Sequence, residues 1–268
     1  MGVLKSALRD CLPARWQVPV RYYWSLMRGH HEAELALLPL LVQPRDHVLD
    51  VGANRGLYAY ALHRLMVTLH LFEPNPDCSK LLTAWAKVSQ RVCVHPVALG
   101  ASEGVLPLYV PRDREGVLHD ASGSLTQPDL DSEKEAISVD VQVKTLDHYA
   151  FPRVDLIKID VEGHEVDVIN GGRATIARFN PALLVEIEQR HHQQTIESIF
   201  AFITSLGYRG FFLQHNYLCS IDCFEKDRDQ ALAHFGCPGS PYVNNFLFLH
   251  EALIAKGRYR KFLGQWVR

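Results

Sequence analysis

A chain of 268 residues, 47% hydrophobic and 22% charged, has enough apolar side chain for one large core with a few appended segments, and it is too apolar for extended disorder. Its formal net charge of -2 excludes the broad basic surface that grips a phosphate backbone, so nucleic acid is not an expected partner. No run approaches the roughly 18 apolar residues of a membrane span, charges at Lys5, Arg9 and Asp10 break any export signal, and the cysteines, none in a CxxC pair, read as free thiols of a cytoplasmic protein.

From Leu4 to Leu41 apolar residues recur at three and four spacing, interrupted by Pro13 and Pro19, which predicts an N-terminal helical cap over residues 1–45. A turn at Gln43 to Asp46 then opens an alternation of short β-rich runs and helical stretches, the rhythm of a mostly parallel α/β sheet. Strands are expected at Val48–Val51, Thr68–Phe72 and Val92–Leu99, with helices at Gly56–Met66 and Pro76–Val88 between them. Two β segments, Gly104–Val110 and Ile137–Val143, interrupt the rhythm within residues 100–146 and flank a polar loop whose Ser122-Gly123-Ser124 suits a substrate lid. The pattern resumes with a buried strand at Val154–Val161, a helix at His164–Phe179, a strand at Ala182–Glu188 and a helix at Thr195–Leu206. Tyr208–Gln214 and Asn245–His250 predict a terminal antiparallel pair, which closes a main domain of residues 46–250, and residues 251–268 read as a basic tail.

The strongest local signal is Asp50-Val51-Gly52-Ala53-Asn54-Arg55-Gly56, where an apolar strand runs into a turn and a helix. Glycines at 52 and 56 let the backbone turn tightly and approach a ligand. The spacing lacks the third glycine of a dinucleotide fingerprint, and Asp50 suits a cationic amino group better than a pyrophosphate. Glu73, ending the second strand before Pro74-Asn75-Pro76, is placed to accept hydrogen bonds from both hydroxyls of a ribose.

These residues closely resemble the FkbM family of methyltransferases through DVGANRG at 50–56, FEPNP at 72–76, VALG at 97–100, TLD at 145–147, LIKIDVEGHE at 156–165 and LLVEIE at 183–188. The resemblance implies a Rossmann-like class I methyltransferase fold and S-adenosylmethionine as cofactor. It makes Asp50, Gly52, Asn54 and Gly56 the cofactor loop, Glu73 with Asn75 the ribose end, and Val97 and Ala98 neighbours of the adenine. Where many members have asparagine two residues before the Val-Ala-Leu run, this chain has His95.

Asp160, Glu162 and His164 follow the buried strand at the edge that carries the glycine turn, so they are the candidate catalytic group, with His164 as general base. Asp160, Glu186 and Glu188 resemble carboxylates that hold magnesium in catechol-type enzymes, although carboxylates so placed equally suit backbone amides. The expected activity is methyl transfer to a hydroxyl of a sugar, glycan or glycosylated natural product. The alternative is a catalytically silent module that keeps the cofactor cleft and binds a glycan or a partner protein. The sequence leaves the oligomeric state open, with a homodimer among the candidates.

Overall fold

The computed structural model describes residues 12–28, 32–112, 125, 135–214, 217–235 and 242–266; the expected lid at Ser122 to Ser124 and the thiols Cys11 and Cys237 lie outside them. The centre is an eight-stranded sheet. Strands β1 (His47–Val51), β2 (Thr68–Phe72) and β3 (Val92–His95) run to one edge, and β4 (Ala98–Leu99), β5 (Gly104–Arg112) and β6 (Glu135–Lys144) form a separate three-stranded sheet. The chain then returns to the large sheet as β7 (Leu156–Ile159), β8 (Ala182–Glu186), β9 (Tyr208–Gln214), β10 (Tyr217–Ser220) and β11 (Asn245–His250), in the spatial order β10-β9-β11-β8-β7-β1-β2-β3.

The five strands from β3 to β8 are mutually parallel, and β11 is antiparallel to both β8 and β9. Strand order therefore reverses between β1 and β7, and a crevice opens beyond their carboxyl ends, where open α/β sheets bind ligands. This is the Rossmann-like arrangement expected, with its terminal antiparallel strands. Strand β10 is an addition that the sequence pattern did not suggest.

Both faces of the parallel strands are covered, which is why they read as near-continuous apolar runs. Val48, Leu69, Leu71, Leu156 and Leu184 point to one core layer, whereas Leu49, Val51, Ile157, Ile159 and Leu183 point to the other, all at 0–1% exposure. Alternation by two places Asp50, Lys158 and Glu186 on the first face and His70, Cys93 and His95 on the second. Helices α1 (Ala14–Arg28), α2 (Leu57–Arg64) and α3 (Pro76–Ala86) cover the first face. Helices α4 (Glu165–Gly171), α5 (Arg173–Phe179) and α6 (Ile196–Thr204) cover the second.

Four local expectations change. Helix α1 continues through Pro19, which lies in its first half, and seats Val18 and Tyr22 in the core. The expected strand Val92–Leu99 breaks at Pro96, which cannot donate to a ladder, and its two halves join different sheets. The helix expected over His164–Phe179 is two helices. Asp147 accepts hydrogen bonds from the N–H groups of Ala174 and Thr175 at 2.9 and 2.8 Å and so starts α5 afresh. The segment expected as a tail forms helices at Glu251–Ala255 and Arg260–Trp266 and buries Tyr259 and Phe262 in the first core layer. No helix among the described residues is long and apolar enough to cross a membrane.

Candidate active site

Two adjoining clefts open at the carboxyl ends of β1, β2, β7 and β8, the edge where open α/β sheets place their ligands. Gly52, Asn54, Asp160 and Glu162 line both, so the two clefts lie side by side as two parts of one groove. Glu73, Asn75, Val97, Ala98 and His164 line the first cleft alone, beside the apolar Phe72, Leu99 and Leu108. Asp50 and Glu186 line the second alone.

Gly52 has φ of +79°, and a Cβ there would lie 1.7 Å from the carbonyl oxygen of Asp160, so the turn and the β7 end approach each other only because the side chain is missing. Glu73, 5% exposed, fixes that turn from the neighbouring strand. One of its oxygens accepts from the Asn54 N–H at 2.6 Å and the other from the Asn75 N–H at 2.8 Å. Asn75 in turn caps α3 by accepting from the Asp77 N–H. Burial pushes the Glu73 carboxyl up to about 7, against the pull of those two N–H groups.

Asp50 is fully buried, and neither of its carboxylate oxygens has a hydrogen-bond partner in the protein. Burial raises it to about 6, with the Lys158 ammonium opposing and Asp160 and Glu32 adding to the rise. An unsatisfied buried carboxylate costs free energy unless a cationic donor completes it. Lys158, opposite Asp50 in the β1–β7 register, donates to Asp160 at 2.7 Å and lies 4.7 Å from the centre of the Tyr58 ring. Burial alone would lower this ammonium, but Asp160, Asp50 and Glu32 together hold it above its ordinary value. Glu186, which accepts from Asn244 at 2.7 Å, is raised well above the carboxylate range by burial and then by Asp160.

The segment after β7 is held in an uncommon shape. Glu162 and Gly163 take φ of +51° and +102° in succession. A left-handed non-glycine residue costs of order 1–3 kcal/mol and persists where surrounding contacts enforce it. Here His191 Nε2 lies 2.9 Å from Glu162, Glu165 accepts from the Gly163 N–H at 2.9 Å, and the buried His192 Nε2 lies 3.0 Å from Glu165. His164 leads into α4 with its Nδ1 3.1 Å from Asp167.

The structure thus brings together Asp50, Gly52, Asn54, Glu73, Asn75, Val97, Ala98, Asp160, Glu162, His164 and Glu186 along one groove. Gly56 lines neither cleft; it packs against Val18 and Leu82 with φ of +82° and shapes the turn from behind. The magnesium set expected from Asp160, Glu186 and Glu188 does not assemble. Glu188 lies outside both clefts and is taken up by Arg190 at 2.6 Å and Tyr242 at 2.7 Å, Asp160 is paired with Lys158, and among the described residues the three do not gather within ligand distance.

Sequence reasoning missed Lys158, Tyr58, Arg21 and Glu32, which also line the second cleft. A lysine inside the apolar run Leu156-Ile157-Lys158-Ile159, opposite an acid in the adjacent strand, was a readable signal. Glu32 gave none, since only the fold carries it from the N-terminal segment to Tyr58 and Asn245.

Residues 50–209 match the family model of the Methyltransferase FkbM domain. The chain is 29% identical over 154 residues to the 2-O-methyltransferase NoeI of Sinorhizobium fredii, an overlap that spans 53% of this chain and 63% of NoeI, less than two thirds of that relative. It is 28% identical over 184 residues to the methyltransferase sdnD of Sordaria araneosa, covering 58% of this chain and 70% of sdnD. It is 27% identical over 172 residues to the hexuronic acid methyltransferase AglP of Haloferax volcanii, covering 63% of this chain and 67% of AglP. With the matched span taking in the glycine turn, the strand-end acids Asp50, Glu73 and Asp160 and the parallel strands β2, β3, β7 and β8, the chain belongs to the FkbM methyltransferase domain family.

Proposed function

We propose that this protein is an S-adenosylmethionine-dependent O-methyltransferase whose acceptor is a hydroxyl of a sugar or glycan. The observation that carries the reading is the pair of adjoining clefts, one lined by an unpartnered, fully buried Asp50 and the other by Glu73. Glu73, Asn75, Val97 and Ala98 would hold the adenosine in the first cleft, and Asp50 would receive the cationic amino group in the second. When bound, the cofactor supplies an electrophilic methyl group on a sulfonium.

The residues around the second cleft then orient the acceptor and hold its proton. Asp160 is already engaged as the acceptor of the Lys158 ammonium at 2.7 Å. Glu186 is buried, held above the ordinary carboxylate range and carried on the strand end beside Asp160, so it is the group suited to take a hydroxyl proton. His164 lines the adenosine side only, and its role in this reading is to orient the segment between Glu162 and Asp167. A carbohydrate acceptor is supported by two relatives, one named as a 2-O-methyltransferase and one as a hexuronic acid methyltransferase, and by a cleft rich in charged hydrogen-bonding groups.

Calorimetric titration of the purified protein with S-adenosylmethionine, S-adenosylhomocysteine and NAD tests the cofactor. Binding of the first two without NAD is expected; NAD binding without them refutes the reading. Transfer of labelled methyl to a uronic acid or oligosaccharide tests the acceptor, and cofactor binding with no transfer to any sugar-bearing extract favours a silent binding module.

A further inference from the structure

On the opposite face of the sheet, at its β3 edge, three ligand-type side chains meet outside the groove. His70 stands directly across from Cys93 in the β2–β3 register, and His95 follows Cys93 by two residues on the same face. Their nearest ligand atoms all lie within 4.8 Å of one another, and His70 Nδ1 is 3.1 Å from His95 Nε2. Tetrahedral ligation at a Zn–N distance near 2.0 Å separates two ligand nitrogens by about 3.3 Å, so the imidazoles already stand close to that spacing.

The surroundings fix the rings. His95 stacks on Phe72 at 4.6 Å and meets Tyr149 edge-on at 4.8 Å, while His70 packs against Phe151 at 4.7 Å. Burial lowers both imidazoles, which keeps them in the neutral form that ligates. Cys93 is exposed, so an ion reaches the cluster from solvent through the thiol side.

From these placements we propose that His70, Cys93 and His95 form a binding site for a borderline divalent transition metal of the zinc class, with an exogenous ligand completing the sphere. Two imidazoles and a thiol select such ions over magnesium or calcium, which require oxygen. The bound ion clamps the edge strand β3 to β2. It lies behind the adenosine wall, because the His95 carbonyl accepts from the Glu73 N–H at 3.1 Å and from the Val97 N–H at 2.9 Å. This site is separate from the proposed methyl-transfer groove, and its existence does not depend on that reading.

The test is a titration of the full-length, chelator-stripped, reduced protein with cobalt(II). One equivalent should produce thiolate-to-cobalt charge-transfer absorption that zinc then bleaches, and zinc but not magnesium should raise the melting temperature. Cys93→Ser, at an exposed position, should keep the metal-free melting temperature and lose the charge-transfer band. His70→Gln should weaken cobalt binding more than about tenfold, since even groups behind a ligand are worth about 10–100-fold. No charge-transfer band at one equivalent, a band that survives Cys93→Ser, or equal stabilisation by magnesium overturns the proposal.

Discussion

Asp50 and Glu73 end neighbouring strands, yet their oxygens are used differently: Glu73 has both occupied by backbone N–H groups of the turn, and Asp50 has neither occupied. Glu73 therefore shapes the pocket as well as facing it, whereas Asp50 awaits a charged donor. Asp50→Asn is predicted to weaken S-adenosylhomocysteine binding by about 1.5–3 kcal/mol, the worth of a hydrogen bond to a charged group, measured by calorimetry. Because the ionised carboxylate holds the ammonium, wild-type affinity should fall as pH drops through about 6, and the Asn variant should show no such step. A step retained in the variant would assign it to another group. For the base, Glu186→Gln should lower kcat by about 100-fold or more while cofactor binding persists, and His164→Ala should cost much less. The wild-type rate should rise with pH through a value well above the carboxylate range, since the base works ionised. The reverse ranking of the two variants would restore His164 as the base. Asp50, Glu73 and Asp160 were legible in the sequence because each ends an apolar run. Glu188 was misread because it keeps the period-two phase of Glu186 although the strand has already ended and Arg190 has captured its carboxylate.

At the scale of elements, four of the five parallel strands, β1, β2, β7 and β8, were readable to within a residue or two, since burial on both faces leaves an uninterrupted apolar run that few other structures produce. The break between α4 and α5 was not, because it depends on a partner distant in the chain. Helices α4 and α5 share one helical pattern and separate only where Asp147, from the segment before β7, caps the second. The basic character of residues 251–268 hid Tyr259 and Phe262, whose burial is settled by the sheet they pack on. The junction of α4, α5 and the β4 end also supplies a test of packing. A Cβ on Gly171 would lie 2.0 Å from the carbonyl oxygen of Gly100, backbone that cannot swing aside. Gly171→Ala is accordingly predicted to destabilise by about 1–3 kcal/mol, the usual cost of overpacking, in urea unfolding. Gly104→Ala, with nothing within 4 Å of the new methyl, should be neutral or slightly stabilising. Equal effects at the two sites would show that α4 can shift away from β4 without cost.

Across the whole molecule the sheet has two poles with opposite electrostatic character. The carboxyl ends of the parallel strands gather partly unsatisfied, raised carboxylates, an arrangement that lowers stability and prepares binding. At the amino ends the acids are fully paired. Asp46 and Asp155, just before β1 and β7, are buried and share Arg153 and Arg258, while their oxygens also accept from the N–H groups of Gln43 and His47. Arg258 reaches them from the segment after β11, so this network ties the last part of the chain to the first strand of the core. Arg258→Ala should cost about 1–3 kcal/mol in unfolding free energy, at the lower end if Arg153 keeps both carboxylates satisfied. Because the network sits a strand length from the groove, S-adenosylhomocysteine affinity should stay within error of wild type under conditions where both proteins are folded. A loss of affinity alongside the loss of stability would mean that the C-terminal helices set the spacing of β1 and β7 along their full length, which would make the stabilising pole part of the binding machinery.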